Sequence, residues 1–157
     1  MNAGLRIIQA HRPAELPDVR ELFREYAGSI EVDLCFQSFE QELAELPGKY
    51  APPVGRLLLA EVDHQPAGCV ALRPIETSTA EMKRLYVRPA FRGQRIGRAL
   101  ANGIITAATE IGYERMRLDT LATMTEAIGL YESLGFQRIP AYYHNPSTLA
   151  VFFELKL

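Results

Sequence analysis

The stretch RLYVRPAFRGQRIGRAL, residues 84–100, joins a strand pattern to a helix pattern through a short loop. Leu85, Tyr86 and Val87 suit a strand, and a proline soon afterwards ends that pattern. Gly93 and Gly97 permit tight backbone turns before apolar residues recur at helical spacing. The unpaired amides and the dipole at a helix start favour an anion such as phosphate. The stretch therefore predicts a local anion site.

Three arginines in this loop, Arg92, Arg95 and Arg98, would add charge-assisted contacts to such an anion. A plain connection, in which the glycines only satisfy turn geometry, fits the same residues. Two familiar phosphate loops are excluded, because the chain lacks G-x-x-x-x-G-K-[ST] and because Gly93 with Gly97 does not form G-x-G-x-x-G.

On both sides of the loop, apolar periodicity predicts further strands and helices. The strand patterns are 5–10, 56–62, 67–75, 80–87, 115–121, 136–139 and 149–157, and the helix patterns lie in 12–30, 36–46, 96–111 and 124–134. The turn-like DHQP, residues 63–66, separates two of the strands. The strand, helix, strand order across 80–121 predicts a parallel crossover, which is right-handed in nearly all proteins.

Local signals at the helix ends refine these boundaries. Thr123 and Glu126 form a capping-box pattern before the last helix. The helix 96–111 is expected to end near Gly112, and Gly135 lies in the position of a C-terminal cap after the helix 124–134.

Composition limits the class of protein. The chain has 157 residues, 48% of them hydrophobic, which predicts one domain over 1–157. Its net charge of −2 gives no broad basic field for nucleic acid, and no run of about 18 apolar residues suits a membrane span. Cys35 and Cys69 form no CxxC motif, so we expect a soluble, cytoplasmic protein. Whether the domain pairs into a homodimer stays open.

Two ordered motifs give the chain a family resemblance. The first, Arg/Gln-x-x-Gly-x-Gly/Ala after a strand, is matched by Gln94, Gly97 and Ala99. The second, a helix reading A..LY...GF, is matched by Ala127, Leu130, Tyr131, Gly135 and Phe136. In these motifs the sequence resembles the GNAT superfamily, the acyl-CoA-dependent N-acetyltransferases. The resemblance covers residue 57 to the C-terminus, whereas the first 55 or so residues match only in the order of elements.

The resemblance implies a mixed α/β domain that binds acetyl-CoA. Its central, mostly antiparallel sheet would have about six or seven strands, flanked by about four helices and splayed between the strands that end near Val87 and Thr120. Loop amides would hold the CoA pyrophosphate, and the strand before the loop would pair with the pantetheine arm. The implied cofactor-binding residues are Leu85, Tyr86, Val87, Arg92, Gly93, Gln94, Arg95, Ile96, Gly97, Arg98 and Ala99.

The resemblance also implies catalytic roles. Tyr131 matches the general acid that protonates the leaving thiolate, although its place on an apolar helical stripe equally fits core packing. Glu81 occupies the position of a general base acting through water, or is a solvated carboxylate at a strand end. The backbone amide of Val87 would donate to the thioester carbonyl. Direct acetyl transfer to a primary amine of a small molecule or peptide, in a ternary complex, is the implied activity.

Other readings remain. Many relatives carry asparagine where this chain has Met124, which leaves open an acyl-CoA sensor that keeps the binding loop and acetylates nothing. A general nucleotide-binding domain is a third reading. His11, His64 and His144 lack metal-ligand spacing, so no metal is expected.

For the acceptor, two segments are candidates. Glu31 and Asp33 could attract an amine cation, and Tyr142, Tyr143 and His144 could form a wall of the pocket. Turn and surface roles fit these residues equally well, and the sequence does not choose among polyamines, amino acids, antibiotics and protein N-termini.

Overall fold

A computed structural model describes residues 4–30 and 38–157. The strands are β1 (Leu5–Gln9), β2 (Arg56–Val62), β3 (Gln65–Glu76), β4 (Thr79–Val87), β5 (Arg115–Leu121), β6 (Gln137–Ile139) and β7 (Ala150–Lys156). The helices are α1 (Leu16–Ser29), α2 (Phe39–Glu45), α3 (Ile96–Ile111) and α4 (Thr125–Ser133). The predicted α/β fold is confirmed, and the part of the predicted helix 36–46 that precedes residue 38 lies outside the described residues.

All seven strands form one sheet in the order β1-β2-β3-β4-β5-β7-β6. Neighbouring strands are antiparallel except β4 and β5, which are parallel and are joined through α3 as predicted. The β4–β5 pairing runs only from Thr79 opposite Arg115 to Glu81 opposite Arg117. Beyond Glu81 the two strands separate, so the sheet has the predicted opening between them.

Helices cover both faces of the sheet, because successive side chains of a strand point to opposite faces. Leu57 and Leu59 of β2 join the core beneath α1 and α2, whereas Leu58 and Ala60 join the core beneath α3. This double burial explains why β2 reads as a continuous apolar run. Each fully buried leucine contributes roughly 1.5–3 kcal/mol to folding, so both layers stabilise the sheet.

A β-bulge in β4 bends the strand where the opening begins. Cys69 of β3 pairs with Tyr86 and Ala71 pairs with Lys83, so two residues of β4 oppose the single residue between them on β3. Arg84, one of these two residues, has φ 61°, in the left-handed region that non-glycine residues rarely adopt. The bulge therefore marks a constrained turn of the strand beside the opening.

Most boundaries agree with the sequence, and the exceptions have local causes. Asp63 and His64 alone make the β2–β3 turn, with φ of 50° and 67°, so the last two residues of the predicted turn belong to β3. The capping-box prediction is wrong: α4 has Met124 at its N-cap and no side-chain cap, which places Glu126 too early to complete the box.

The glycines expected at the C-terminal ends of α3 and α4 are confirmed. Gly112, at φ 110°, follows α3. Gly135, at φ 100°, follows α4, where the Phe136 N–H donates to the Tyr131 carbonyl at 3.0 Å in the arrangement of a Schellman motif. Within residues 4–30 and 38–157, every helix falls short of the length and apolarity needed to cross a membrane.

Candidate active site

The start of α3 presents unpaired backbone amides to a groove between β4 and α4. The first helical hydrogen bond runs from the Ala99 N–H to the Arg95 carbonyl at 3.1 Å, so the amides before it have no helical partner. No side chain caps the helix, and no residue of 4–30 or 38–157 accepts a hydrogen bond from the amides of residues 95–98. The start of α4 lines the same groove and also lacks a side-chain cap. Two uncapped helix starts thus face one space of about 620 Å³.

The glycines at this helix start keep its amides accessible. Gly93 has φ 83°, a conformation that costs other residues energy. A Cβ built on Gly97 would lie 3.8 Å from the nearest atoms, which belong to Val87 and Leu130, so packing within the chain does not require glycine there. The absence of a side chain instead leaves the first turn open to close approach by an anion, which fits a diphosphate.

The end of β4 offers a further backbone donor. The Arg88 N–H bonds to the Ala67 carbonyl on β3 at 2.8 Å, and the next pair, Val87 opposite Gly68, is by alternation a non-hydrogen-bonded pair. The Val87 N–H therefore points away from β3. The Val87 carbonyl accepts from Arg92 Nε at 3.1 Å. An N–H that points away from β3 suits an extended ligand lying along the side of β4 that faces the opening.

The predicted cofactor-binding residues divide into two groups. Those that line the groove are Leu85, Tyr86, Val87, Arg92, Gly93, Arg95, Ile96 and Gly97. Gln94 is exposed and does not line it. Arg98 donates to Ser133 Oγ at 2.9 Å, and the Ala99 amide is used by the helix.

An inner cavity of about 50 Å³ lies between β4 and β5 beyond the end of their pairing. It is lined by residues 82–85 of β4, residues 118–121 of β5, and Tyr26, Ile30, Met124, Tyr131 and Asn145. Tyr26, Leu85 and Met124 also line the groove, so the two spaces adjoin.

Tyr131 lines the inner cavity although its ring belongs to the core. The ring packs on Phe136 and Phe153, with centroid distances of 5.7 and 6.3 Å. No residue of the described chain hydrogen-bonds its hydroxyl, and burial raises the pKa of Tyr131. The ring of Tyr131 thus packs in the core, and its hydroxyl is protonated at neutral pH and available to a ligand in the inner cavity.

Glu81 lies at the apex of the opening and is only 1% exposed. Nε and Nη2 of Arg73 each contact its Oε1 at 2.8 Å, and the Tyr142 hydroxyl donates to its Oε2. Burial and the adjacent Glu81 carboxylate raise the pKa of Tyr142. Glu81 is thus a buried, paired carboxylate. The sequence-based alternative, a solvated carboxylate at the end of a strand, does not describe it.

Asp119 is the carboxylate that faces the inner cavity. Its Oδ2 accepts from the Tyr143 hydroxyl at 2.7 Å and from Asn145 Nδ2 at 3.3 Å. Its Oδ1 lies 3.9 Å from Lys83 Nζ. Burial lowers the pKa of Lys83, an effect opposed by Glu81 and Asp119.

Arg84 fixes the wall of this cavity. Its guanidinium donates to both oxygens of Glu42, at 2.9 and 3.0 Å, and lies over the rings of Tyr26 and Phe39. Burial disfavours its charge, but the hydrogen bonds to Glu42, together with electrostatic contributions from Glu42, Tyr50 and Tyr26, raise the pKa of Arg84 overall. The pair ties α2 to the bulge of β4.

An outer cavity of about 290 Å³ adjoins the inner one, since Lys83 and Arg84 line both. Its other lining residues are Ser38, Glu42, Arg73, Tyr143 and His144. Tyr143 and His144, two of the three residues predicted to form a wall of the acceptor pocket, therefore line this cavity. The hydroxyl of the third, Tyr142, donates to Glu81. The predictions for Glu31 and Asp33 lie outside the described residues.

Five charged residues that line the inner and outer cavities were missed by sequence reasoning: Glu42 on α2 and, inside predicted strands, Arg73, Lys83, Arg84 and Asp119. Charged residues inside strands predicted to be central could have indicated buried ion pairs, because a buried charge needs a partner. Within the described residues, His, Cys, Asp and Glu form no cluster of three suited to a metal ion.

The comparisons with known proteins agree with this geometry. An acetyltransferase from Streptococcus agalactiae has a TM-score of 0.81 and 22% identity, with 99% of each chain covered. An N-acetyltransferase from Thermoplasma acidophilum, solved with coenzyme A, has a TM-score of 0.76 and 20% identity, over 98% of this chain and 99% of that one. These likenesses show a shared fold.

Sequence comparison identifies the family. The model of the Acetyltransferase (GNAT) family matches residues 16–136, and the chain therefore belongs to this family. An uncharacterized N-acetyltransferase from Schizosaccharomyces pombe is 43% identical over 157 residues, covering 99% of this chain and 96% of the relative.

Proposed function

We propose that the protein transfers an acetyl group from acetyl-CoA directly to a primary amine of a small molecule or peptide while both substrates are bound. One observation carries the proposal. The groove, the inner cavity and the outer cavity form a series through the opening of the sheet, joined by shared lining residues. A donor can thus approach Tyr131 from one side and an acceptor from the other.

The groove fits the donor through its backbone groups. The amides of residues 95–98 suit the diphosphate of CoA, and the outward N–H of Val87 suits a carbonyl of an extended chain. Acetyl-CoA supplies an acetyl group activated as a thioester.

Tyr131 is proposed as the proton donor. The amine nitrogen forms a bond to the acetyl carbon, the carbon–sulfur bond breaks, the nitrogen loses one proton and the sulfur gains one. The Tyr131 hydroxyl lines the inner cavity and no described residue hydrogen-bonds it, so it is available to donate to the departing sulfur.

The proton leaving the amine has two candidate acceptors. The sequence-based proposal names Glu81, acting through water. The contacts favour Asp119, because Arg73 and Tyr142 bond both oxygens of Glu81. In Asp119, Tyr143 and Asn145 bond Oδ2, whereas Oδ1 accepts no hydrogen bond from the described residues and has Lys83 Nζ at 3.9 Å. Asp119 also lines the cavity that contains Tyr131. We therefore propose Asp119 as the base.

Direct transfer is favoured over a covalent enzyme intermediate by the state of Cys69. This thiol is fully buried, its Sγ donates to the Arg84 carbonyl at 3.3 Å, and burial raises its pKa. A thiolate nucleophile is therefore disfavoured at Cys69.

The test is release of CoA thiol from acetyl-CoA across a panel of amines and peptides, with the acetylated product identified by mass spectrometry. The proposal expects release that depends on the amine and initial-rate lines that intersect. Acetyl-CoA binding with no turnover on any amine or peptide would favour the acyl-CoA sensor. Equal competition by ATP and CoA would favour a general nucleotide-binding domain.

A further inference from the structure

The outer cavity is lined by more cations than carboxylates among the described residues. Arg73, Lys83 and Arg84 line it, together with the single carboxylate of Glu42. Because Glu42 uses both oxygens on Arg84, these two charges neutralise each other. Among the described residues, this leaves at the cavity the guanidinium of Arg73, which pairs with Glu81 outside the cavity, and the amine of Lys83, which lies 3.9 Å from Asp119.

Arg73 keeps binding capacity toward the cavity despite its pairing with Glu81. Its side chain is 29% exposed, whereas that of Glu81 beneath it is 1% exposed. Both of its contacts, from Nε and Nη2, go to one oxygen of Glu81, and its Nη1 bonds no residue of 4–30 or 38–157. A guanidinium has five N–H donors, so Arg73 is able to hold a second carboxylate.

Lys83 and Arg84 line both the inner and the outer cavity, so with Glu42 bonded to Arg84 the charges that distinguish the two cavities lie on Asp119 and Arg73. Asp119 lines the inner cavity and not the outer one, whereas Arg73 lines the outer cavity and not the inner one. An acceptor reaching from one cavity into the other would meet a carboxylate near Tyr131 and a guanidinium farther out. This order of charges complements a zwitterion whose ammonium enters first.

We propose that the acceptor is a free amino acid, whose carboxylate binds Arg73 in the outer cavity while its amine enters the inner cavity. This inference rests on the acetyltransferase activity proposed above. The volume of about 290 Å³ suits a small molecule. A polyamine, which carries positive charge alone, offers no carboxylate to the remaining donors of Arg73.

The experiment compares each common amino acid with its amide and with its decarboxylated amine, using thiol release under identical conditions. The amine of an amide has a pKa nearer to 7.7–8.0 and is more often neutral, so intrinsic reactivity favours the amide. A preference for the free acid must therefore come from binding. The inference expects kcat/KM for the best free acid to exceed that of its amide and amine by about 10- to 100-fold.

Equal or better turnover of the amide, the decarboxylated amine or a peptide would overturn the amino-acid assignment while leaving the acetyltransferase proposal intact. No turnover of any acceptor, with acetyl-CoA still bound, would overturn both.

A pair of variants locates the carboxylate contact. Arg73→Lys keeps a charge beside Glu81 but loses the planar fork, so the preference for acid over amide should fall about 10-fold, mainly through KM of the acid. A purely structural effect through Glu81 would lower both acceptors together and leave their ratio unchanged. Lys49→Gln is the matched control, because Lys49 is an exposed cation of a neighbouring pocket that Arg73 also lines. An unchanged ratio in Arg73→Lys, or an equal fall in Lys49→Gln, would overturn the assignment.

Discussion

The groove at α3 and the outer cavity beside β3 are built from different parts of the chain. The groove offers backbone amides of consecutive residues, so the sequence needs only a glycine-containing loop followed by a helix to form it. The outer cavity offers side chains of Arg73, Lys83, Arg84 and His144, which come from three separate segments. A backbone site needs only residues that are neighbours in sequence, whereas a side-chain site is assembled by folding from distant residues.

The largest expected effect lies between the two regions, at Tyr131. Tyr131→Phe removes the proposed acid and should lower kcat by about 10²–10⁴-fold while leaving the Kd for CoA unchanged. Steady-state kinetics and calorimetry measure the two quantities. Tyr113→Phe is the control, because Tyr113 is also buried but its hydroxyl bonds the Val54 carbonyl away from these cavities. Full activity in Tyr131→Phe would remove the acid assignment.

The next effect distinguishes the two carboxylates on the acceptor side. Asp119→Asn should lower kcat/KM by about 10²-fold at pH 6, and by less as the pH rises toward the amine pKa, because solvent then deprotonates the amine. Glu81→Gln should show a weaker pH dependence. A steeper loss at low pH in Glu81→Gln than in Asp119→Asn would restore the sequence-based assignment of Glu81. Thermal unfolding of both variants checks that each remains folded.

A smaller effect tests the backbone site directly. Gly97→Ala adds a methyl group that no atom within 3.8 Å opposes, so Tm should change little. The methyl group would occupy the approach to the first-turn amides, and the Kd for CoA should rise about 10-fold or more. Gly129→Ala places the same change in open space on α4 and should leave the Kd unchanged. Equal affinities for both variants would refute close approach at Gly97.

The smallest expected effect distinguishes Arg92 from Arg98, two arginines that the sequence analysis assigned to the same anion site. Arg92 lines the groove, whereas Arg98 bonds Ser133. Arg92→Ala should weaken CoA binding by about 2- to 5-fold, the range of an exposed ion pair, and Arg98→Ala should leave it within error. Calorimetry at two salt concentrations measures this, and a larger loss in Arg98→Ala would contradict the groove geometry.

The sequence predicted the fold well because the signals for its elements are local. Gly112 and Gly135 end helices through their own backbone conformations, and α3 follows directly from the apolar spacing after its loop. The capping box failed because Met124 takes the N-cap position in the turn that follows β5. Such a one-residue shift is decided by tertiary structure.

The acceptor side was not predictable because its contacts join distant residues. Glu42 meets Arg84 across 42 positions and Tyr142 meets Glu81 across 61. No periodicity or short motif records such pairs. The charged residues of β4 indicated that partners must exist. The partners lie on other elements of the chain, which meet β4 only in the folded protein.

Amide chemical shifts during a titration with CoA test the central claim most directly, because they report on individual backbone N–H groups. The account predicts that the amides of residues 95–98 show the largest saturable shifts, and that inorganic diphosphate moves the same resonances. Shifts confined to other parts of the chain, with these amides unmoved at saturation, would contradict binding at the start of α3.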